Sequence, residues 1–175
     1  MSHLKPTDIL EEMPAMRRYA RSLARDETVA DDVVQDALLK ALEKRDTFRP
    51  EGSAKRWLLA IVHNIFVSAR RREQADARRD IHFAQTLVDR LEPEQEHAAY
   101  LQEVASAFAT LPDHHRAVLH LVAVEGQSYQ EAAAILNVPV GTIMSRLSRA
   151  RAALRSPRRA ADRDRLRIIG GQDAD

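Results

Sequence analysis

Apolar and polar positions along most of this chain follow the period of a helix with one buried face. A segment from about Pro14 to Arg25 predicts a first helix. "DETVADDVVQDALLKALEKRD" predicts a second, with a buried stripe of Ala30, Val34, Leu38 and Ala41 and an outer face of Asp32, Gln35, Asp36 and Glu43 around Leu39. "TFRPEGSAK" holds Pro50 and Gly52 and reads as a loop. "AKRWLLAIVHNIFVSARRRE" returns to helix. From Gln74 to about His97 the chain is polar and charged, with Pro93 inside it and a weak apolar cluster at Ile81 to Val88, and predicts a linker. Helices are then expected at about Ala98–Thr110, Pro112–Val124, Ser128–Leu136 and Val140–Leu154, joined by short turns. The arginine-rich end from Ser156 reads as a frayed helix or a tail. No internal repeat interrupts this order.

The local signals agree best in "SYQEAAAILNVPVGTIMSRLSRARAAL". Ser128 with Glu131 is an S-x-x-E capping box, which starts a helix at Tyr129, and Asn137, Val138 and Pro139 end it. On the helix that follows, Ile143, Leu147, Ala150 and Leu154 fall within about 60° of one another at 100° per residue, a narrow core-facing stripe. Ser145, Ser148, Arg149 and Ala152 point the other way, flanked by Met144, Arg146, Arg151 and Arg155. Small polar residues permit close approach to a major groove, and arginines beside them can bond guanine edges or phosphates. The pattern is that of a DNA-reading helix-turn-helix. A plain basic surface hairpin is the alternative.

Composition adds limits. Of 175 residues 45% are hydrophobic and 30% charged, and five glycines and seven prolines leave the balance toward helix, so the expected fold is all-α. With no cysteine there is neither a disulfide framework nor a thiolate metal site. The longest apolar run, "WLLAIV", is far short of the roughly 20 residues of a membrane span. The N-terminus has no signal-peptide core. A cytoplasmic protein without membrane insertion is expected. The net charge is only +1, but it is unevenly spread: −4 over Asp26–Asp46, +5 over Lys55–Arg79, −6 over Asp80–Asp113 and +7 over Thr142–Arg167. Two basic blocks between acidic ones suit a chain that meets a polyanion at two places and something else between. Solvated helix faces are the bland reading of each block.

Two further stretches carry candidate chemistry. A leucine ringed by carboxylates on an outer helix face, as at Leu39, suits docking on a basic protein surface. Phe48, Lys55, Arg56, Trp57 and Asn64 adjoin the loop and are types that hold single-stranded nucleic acid: rings for an unstacked base, an amide for its edge, cations for its backbone. Trp57 reads equally well as a core aromatic. For an enzyme the chain offers little. His114, His115 and His120 do not form a metal-binding helix face, no phosphate-cradling glycine loop is present, and no nucleophile with its base can be assigned, so neither cofactor nor metal is expected.

"DDVVQDALLKAL", "RWLLAIVHNIFVSARRR" and "LPDHHRAVLHLVAVEGQSYQEAAAILNVPVGTIMSRLSRARAAL" are similar, in order and spacing, to regions 2 and 4 of extracytoplasmic-function sigma factors, over about residues 12 to 155. "MRRYARSLARD" also resembles the subgroup that governs general stress responses. The resemblance implies two helical domains, region 2 at 10–75 and region 4 at 98–157, with a linker at 76–97 and a basic tail at 158–175. It further implies that Asp32, Gln35, Asp36 and Leu39 bind the clamp helices of the RNA polymerase β′ subunit, and that region 4 meets the β flap. Phe48 and Arg49, in the loop to Ser53, would capture a flipped base of the −10 element with Asn64 behind it, and Arg56 and Trp57 would assist strand opening. Thr142, Ser145, Arg146 and Arg149 would contact the −35 element. Partners would then be core polymerase, promoter DNA and an anti-sigma protein. Two departures bear on sequence preference: Met144 stands where many members carry lysine or arginine, and Pro50 stiffens the specificity loop. A sigma mimic that sequesters an anti-sigma protein and a non-sigma helix-turn-helix regulator are the rival functions.

Overall fold

Helix α1 (Pro6–Leu23) starts eight residues before the expected Pro14. Pro6 stands in the first turn, where its missing N–H is no loss, and the Asp8 carboxylate accepts the Lys5 backbone N–H at 3.0 Å. Pro14 lies inside the helix and forgoes one backbone bond, but its side is exposed, while Ile9, Met16, Tyr19 and Leu23 are buried. Burial of that stripe, at about 1.5–3 kcal/mol for each large apolar side chain, outweighs one lost bond.

The computed structural model describes residues 4–49, 51–77 and 96–169. Pro50, most of the linker and the last residues of the tail lie outside them. Helix α2 (Glu27–Lys44) is capped by Asp26, whose carboxylate accepts the Val29 N–H at 3.0 Å, and a short 3₁₀ turn (Arg45–Thr47) leads into the loop. Its buried stripe is Ala30, Val33, Val34, Ala37 and Ala41. Leu38, expected in that stripe, is only half-buried, and Val33 and Ala37 on its other flank are buried instead. Helix α3 (Ala54–Ala77) begins beyond Ser53, whose hydroxyl accepts the Arg56 N–H at 3.2 Å. Helices α1, α2 and α3 pack on one another as a first helical domain.

The second domain holds α4 (Glu96–Thr110), α5 (Asp113–Ala123), α6 (Tyr129–Leu136) and α7 (Val140–Ile169). Both halves of the capping box form. Ser128 Oγ accepts the Glu131 N–H at 3.2 Å, and Glu131 accepts the Ser128 N–H at 2.9 Å. Asn137 ends α6 in the left-handed conformation (φ 50°), its N–H bonded to the Ala134 carbonyl, a cap that asparagine tolerates well. Ile143, Leu147 and Ala150 are buried as the stripe requires, and Leu154 is half-buried. The α7 backbone continues through the segment read as a frayed helix or tail, to Ile169. Among the described residues there is no strand, so the fold is all-α.

The two domains share one apolar core, since α5 packs on α1 and α6 on α3. Replacing Ser128 with alanine is expected to cost about 1 kcal/mol, the usual worth of an N-cap. A shift of the urea midpoint at unchanged slope would measure it, and an unshifted midpoint would show that the box adds nothing beyond packing.

Candidate nucleic-acid and partner interfaces

Three surfaces carry the residues singled out in the sequence. On α2 the face away from the core shows Asp32, Gln35 and Asp36 exposed, with Leu39 61% exposed. Leu42, which the sequence pattern did not single out, stands one turn further and is 46% exposed. Spacings of three and four residues align all five on one ridge. Lys40 beside it is tied to Glu43 at 2.8 Å. The ridge is apolar at its C-terminal end and acidic at its start.

The second surface is an open cleft of about 530 Å³. Phe48, Arg49, Arg56 and Trp57 line it from the loop and the start of α3, and Ala134 and Ile135 of α6 line it from the second domain. The loop turns tightly where the Gly52 N–H bonds the Arg49 carbonyl at 2.8 Å. A Cβ on Gly52 would come 3.1 Å from that same oxygen, which is why a glycine suits the turn. Phe48 and Trp57 meet edge to face with centroids 5.7 Å apart. Trp57 is half-buried, so it serves the packing and the cleft wall together. Asn64 is exposed two turns along α3 from Trp57, on the same helix face but outside the cleft lining.

The third surface is the start of α7. Ser145, Ser148 and Arg149 are exposed, Met144 is 55% exposed, and Thr142 is half-buried. The Ser145 hydroxyl donates to the Thr142 carbonyl at 3.0 Å, which leaves its oxygen lone pairs outward as acceptors. Arg146 differs from its expected outward pose. It is half-buried, and after burial its charge helps to lower the pKa of His63, on the first domain; together with Arg149 it does the same for His114 and His115. In this arrangement one arginine of the helix faces the body and Arg149 faces solvent.

A polar network between the domains was not anticipated. Glu125, in the turn after α5, has a wholly buried side chain. Arg18 of α1 grips its carboxylate with two bonds of 3.0 and 3.1 Å, and Lys55 of α3 reaches it at 2.8 Å and the Glu125 carbonyl at 3.1 Å. His120 Nε2 lies 3.2 Å from the same carboxylate. Burial alone would raise the Glu125 carboxyl, but the bonds from Arg18 and Lys55 prevail and hold it below the usual range. Nearby, the buried Arg116 bonds the carbonyls of Leu23, Ala109 and Leu111, joining the ends of α1 and α4, where helix dipoles favour a cation. Tyr19 is stacked on His120 at 5.5 Å, and its hydroxyl meets His63 Nδ1 at 3.1 Å. A lone glutamate before Gly126 reads as turn chemistry, so only the pairing of distant residues could have revealed this network.

Among the described residues no group of three or more His, Cys, Asp or Glu is placed to hold a metal, and no helix is long and apolar enough to cross a membrane. Two helical domains, the second a helix-turn-helix with arginines on its second helix, define a DNA-binding transcription protein. The model of the "Sigma2 domain of PhyR" matches residues 9–63, and that of "Sigma-70, region 4" matches residues 101–154. The ECF RNA polymerase sigma factor EcfG of Rhodopseudomonas palustris is 42% identical over 84% of this chain and 81% of its own. Among solved structures, the sigma factor RpoE of Bartonella quintana, in complex with the anti-sigma factor NepR, superposes with a TM-score of 0.74 at 35% identity, over 85% of this chain and 92% of that one. CnrH, in complex with the cytosolic domain of CnrY, superposes at 0.59 with 29% identity, over 87% and 85%. This chain belongs to the extracytoplasmic-function (ECF) RNA polymerase sigma factors.

Proposed function

We propose that this chain is an alternative sigma factor that joins core RNA polymerase through the α2 ridge and directs it to promoters with a −35 and a −10 element. The observation that carries the reading is the cleft: Phe48, Arg49, Arg56 and Trp57, drawn from two segments, converge on one space that could take an unstacked base. Asn64 lies farther along α3 and fits a neighbouring nucleotide better than the base in the cleft. Thr142, Ser145 and Arg149 fit the major groove of the −35 element, and Arg146 joins them when it is released from the body. That relatives have been solved with anti-sigma proteins supports such a protein as a partner here. Run-off transcription with core polymerase on genomic fragments tests the reading. Start sites sharing a two-box upstream pattern support it, and absence of any start site refutes it.

A second reading is favoured by the match of region 2 to a PhyR domain: a sigma-like module that sequesters an anti-sigma protein without reading DNA. Such a module has no need of the exposed Arg149 face. If Arg149 reads a base edge, its change to alanine should cost about 1–3 kcal/mol and relax preference at one −35 position. A phosphate contact would instead weaken all sequences alike. Transcription by holoenzyme from promoters varied at each −35 base distinguishes these. Wild-type strength and preference in both Arg149→Ala and Arg146→Ala proteins would favour the sequestering module.

A further inference from the structure

We infer that the ion cluster on Glu125 is a latch that holds the two domains in a closed state, in which α6 covers the base-capture cleft and Arg146 is withdrawn from the DNA-reading face. The inference rests on the function proposed for those two surfaces.

Every partner of the Glu125 carboxylate except His120 comes from the other domain: Arg18 from α1 and Lys55 from α3. The carboxylate has no exposure in the closed arrangement. Drawing the domains apart would return it to water and free both cations. A second cross-domain pair lies at the cleft itself, where Arg56 stands 3.8 Å from Glu131 of α6. Arg56 is thus shared between the cleft wall and a contact that closes it. Ala134 and Ile135 supply the opposite wall, so a nucleotide entering from that side meets α6 first. A third pair, Arg70 with Asp113 at 3.3 Å, lies farther along α3.

Two features make this contact reversible. Burying a carboxylate with two cations returns little net free energy, because desolvation offsets most of the attraction. The cluster therefore adds little to the apolar packing of α5 on α1 and α6 on α3, and a partner that covers the apolar surface freed on opening can shift the balance. The α2 ridge, with Leu39 and Leu42, stays exposed while the cleft is covered. A protein docking on that ridge therefore meets the closed form, and opening can follow docking. The order spares free protein from engaging DNA before it holds polymerase.

The test uses the full chain. The sequence has no cysteine, so Thr28→Cys on α2 and Ala152→Cys on α7, both exposed, can each take a spin label. Pulsed electron-electron spectroscopy should give one dominant distance for the parent. Glu125→Gln keeps the shape and removes the charge, leaving Arg18 and Lys55, both partly solvated, free to turn to water. A second, separated distance is expected, with the open-to-closed ratio raised about ten-fold or more, the worth of charged hydrogen bonds lost from one side. Adding core polymerase to the parent should produce the same separated distance. If Glu125→Gln loses helicity by circular dichroism, the Arg18→Gln, Lys55→Gln pair asks the same question from the first domain. Unchanged distances in a folded variant overturn the latch, as does a parent that keeps the closed distance within transcribing holoenzyme, and in both cases the promoter function stands. A variant that opens while no protein transcribes leaves the latch standing and removes the promoter function.

Discussion

Lowering the pH from 7 to 4 is expected to remove about 3 kcal/mol of folding stability through His63 alone. Its imidazole, on α3, is half-buried beside α1, with Nδ1 at the Tyr19 hydroxyl. Burial, and then the charge of Arg146, lower its pKa from 6.5 to about 4. A folded-state pKa below the unfolded one means that the unfolded chain binds the proton first. The contribution is fully present above pH 6.5, declines as the pH falls from there to about 4, and is flat below. Two and a half pH units at about 1.4 kcal/mol each give the stated size. His120, His114 and His115 are lowered as well, each first by burial, and act in the same direction from the same upper limit. Glu125 adds nothing in most of this window, because Arg18 and Lys55 keep it ionised below the usual carboxylate range. Urea titrations at intervals between pH 7 and 4 measure the slope. His63→Gln keeps an acceptor for the Tyr19 hydroxyl and does not titrate, so its curve should be flatter by about that amount. Parallel curves for the two proteins would show that His63 binds its proton equally well in the folded and the unfolded chain.

The contrast between His63 and Ser128 shows what a sequence displays. A capping box is local: Ser128 and Glu131 satisfy each other across one turn, and the helix start at Tyr129 follows from four residues. The stripe of Ile143, Leu147 and Ala150 is equally local, because helical period alone aligns it. The same holds for the ridge on α2, whose exposure follows from the opposite stripe of Ala30, Val34 and Ala41. The cleft was legible as residue types but not as a shape, since Ala134 and Ile135 reach it from a different domain and have no polar atom to mark them. The Glu125 cluster and the Tyr19–His63 pair lie at the far end of this scale. Arg18 and Glu125 are distant in sequence, and each alone looks like a surface charge. Only the packing of α1 on α5 gives them a common site. Arg146 was placed outward by its angle on α7, but a long side chain at the edge of a stripe can lie along the body, and here it does.

Leu39→Arg is expected to weaken binding to core polymerase by about 2–4 kcal/mol, which is roughly 30-fold to nearly 1000-fold, while leaving the fold intact. The leucine is 61% exposed on a ridge that packs against nothing in the described part of the chain, so its removal opens no cavity. Arginine is a strong helix former, and at position 39 it stands one turn beyond Asp36, where an acid-to-base pair adds a few tenths of a kcal/mol to the helix. Thermal stability should therefore be unchanged or slightly higher. At the partner the change acts twice. It removes apolar area from the middle of the ridge, and it places a cation in the centre of an acidic patch that would select a basic surface. Leu42→Arg should have a smaller effect in the same direction, because Leu42 is less exposed and lies at the edge of the acidic stretch. Fluorescence titration of labelled protein with core enzyme measures both, with circular dichroism melts as the control for folding. Equal affinities for parent and Leu39→Arg would dismiss the α2 ridge as the docking face. A lowered melting temperature would assign Leu39 to packing instead. Weaker core binding at an unchanged melting temperature would assign Leu39 and the carboxylates around it to docking and not to folding.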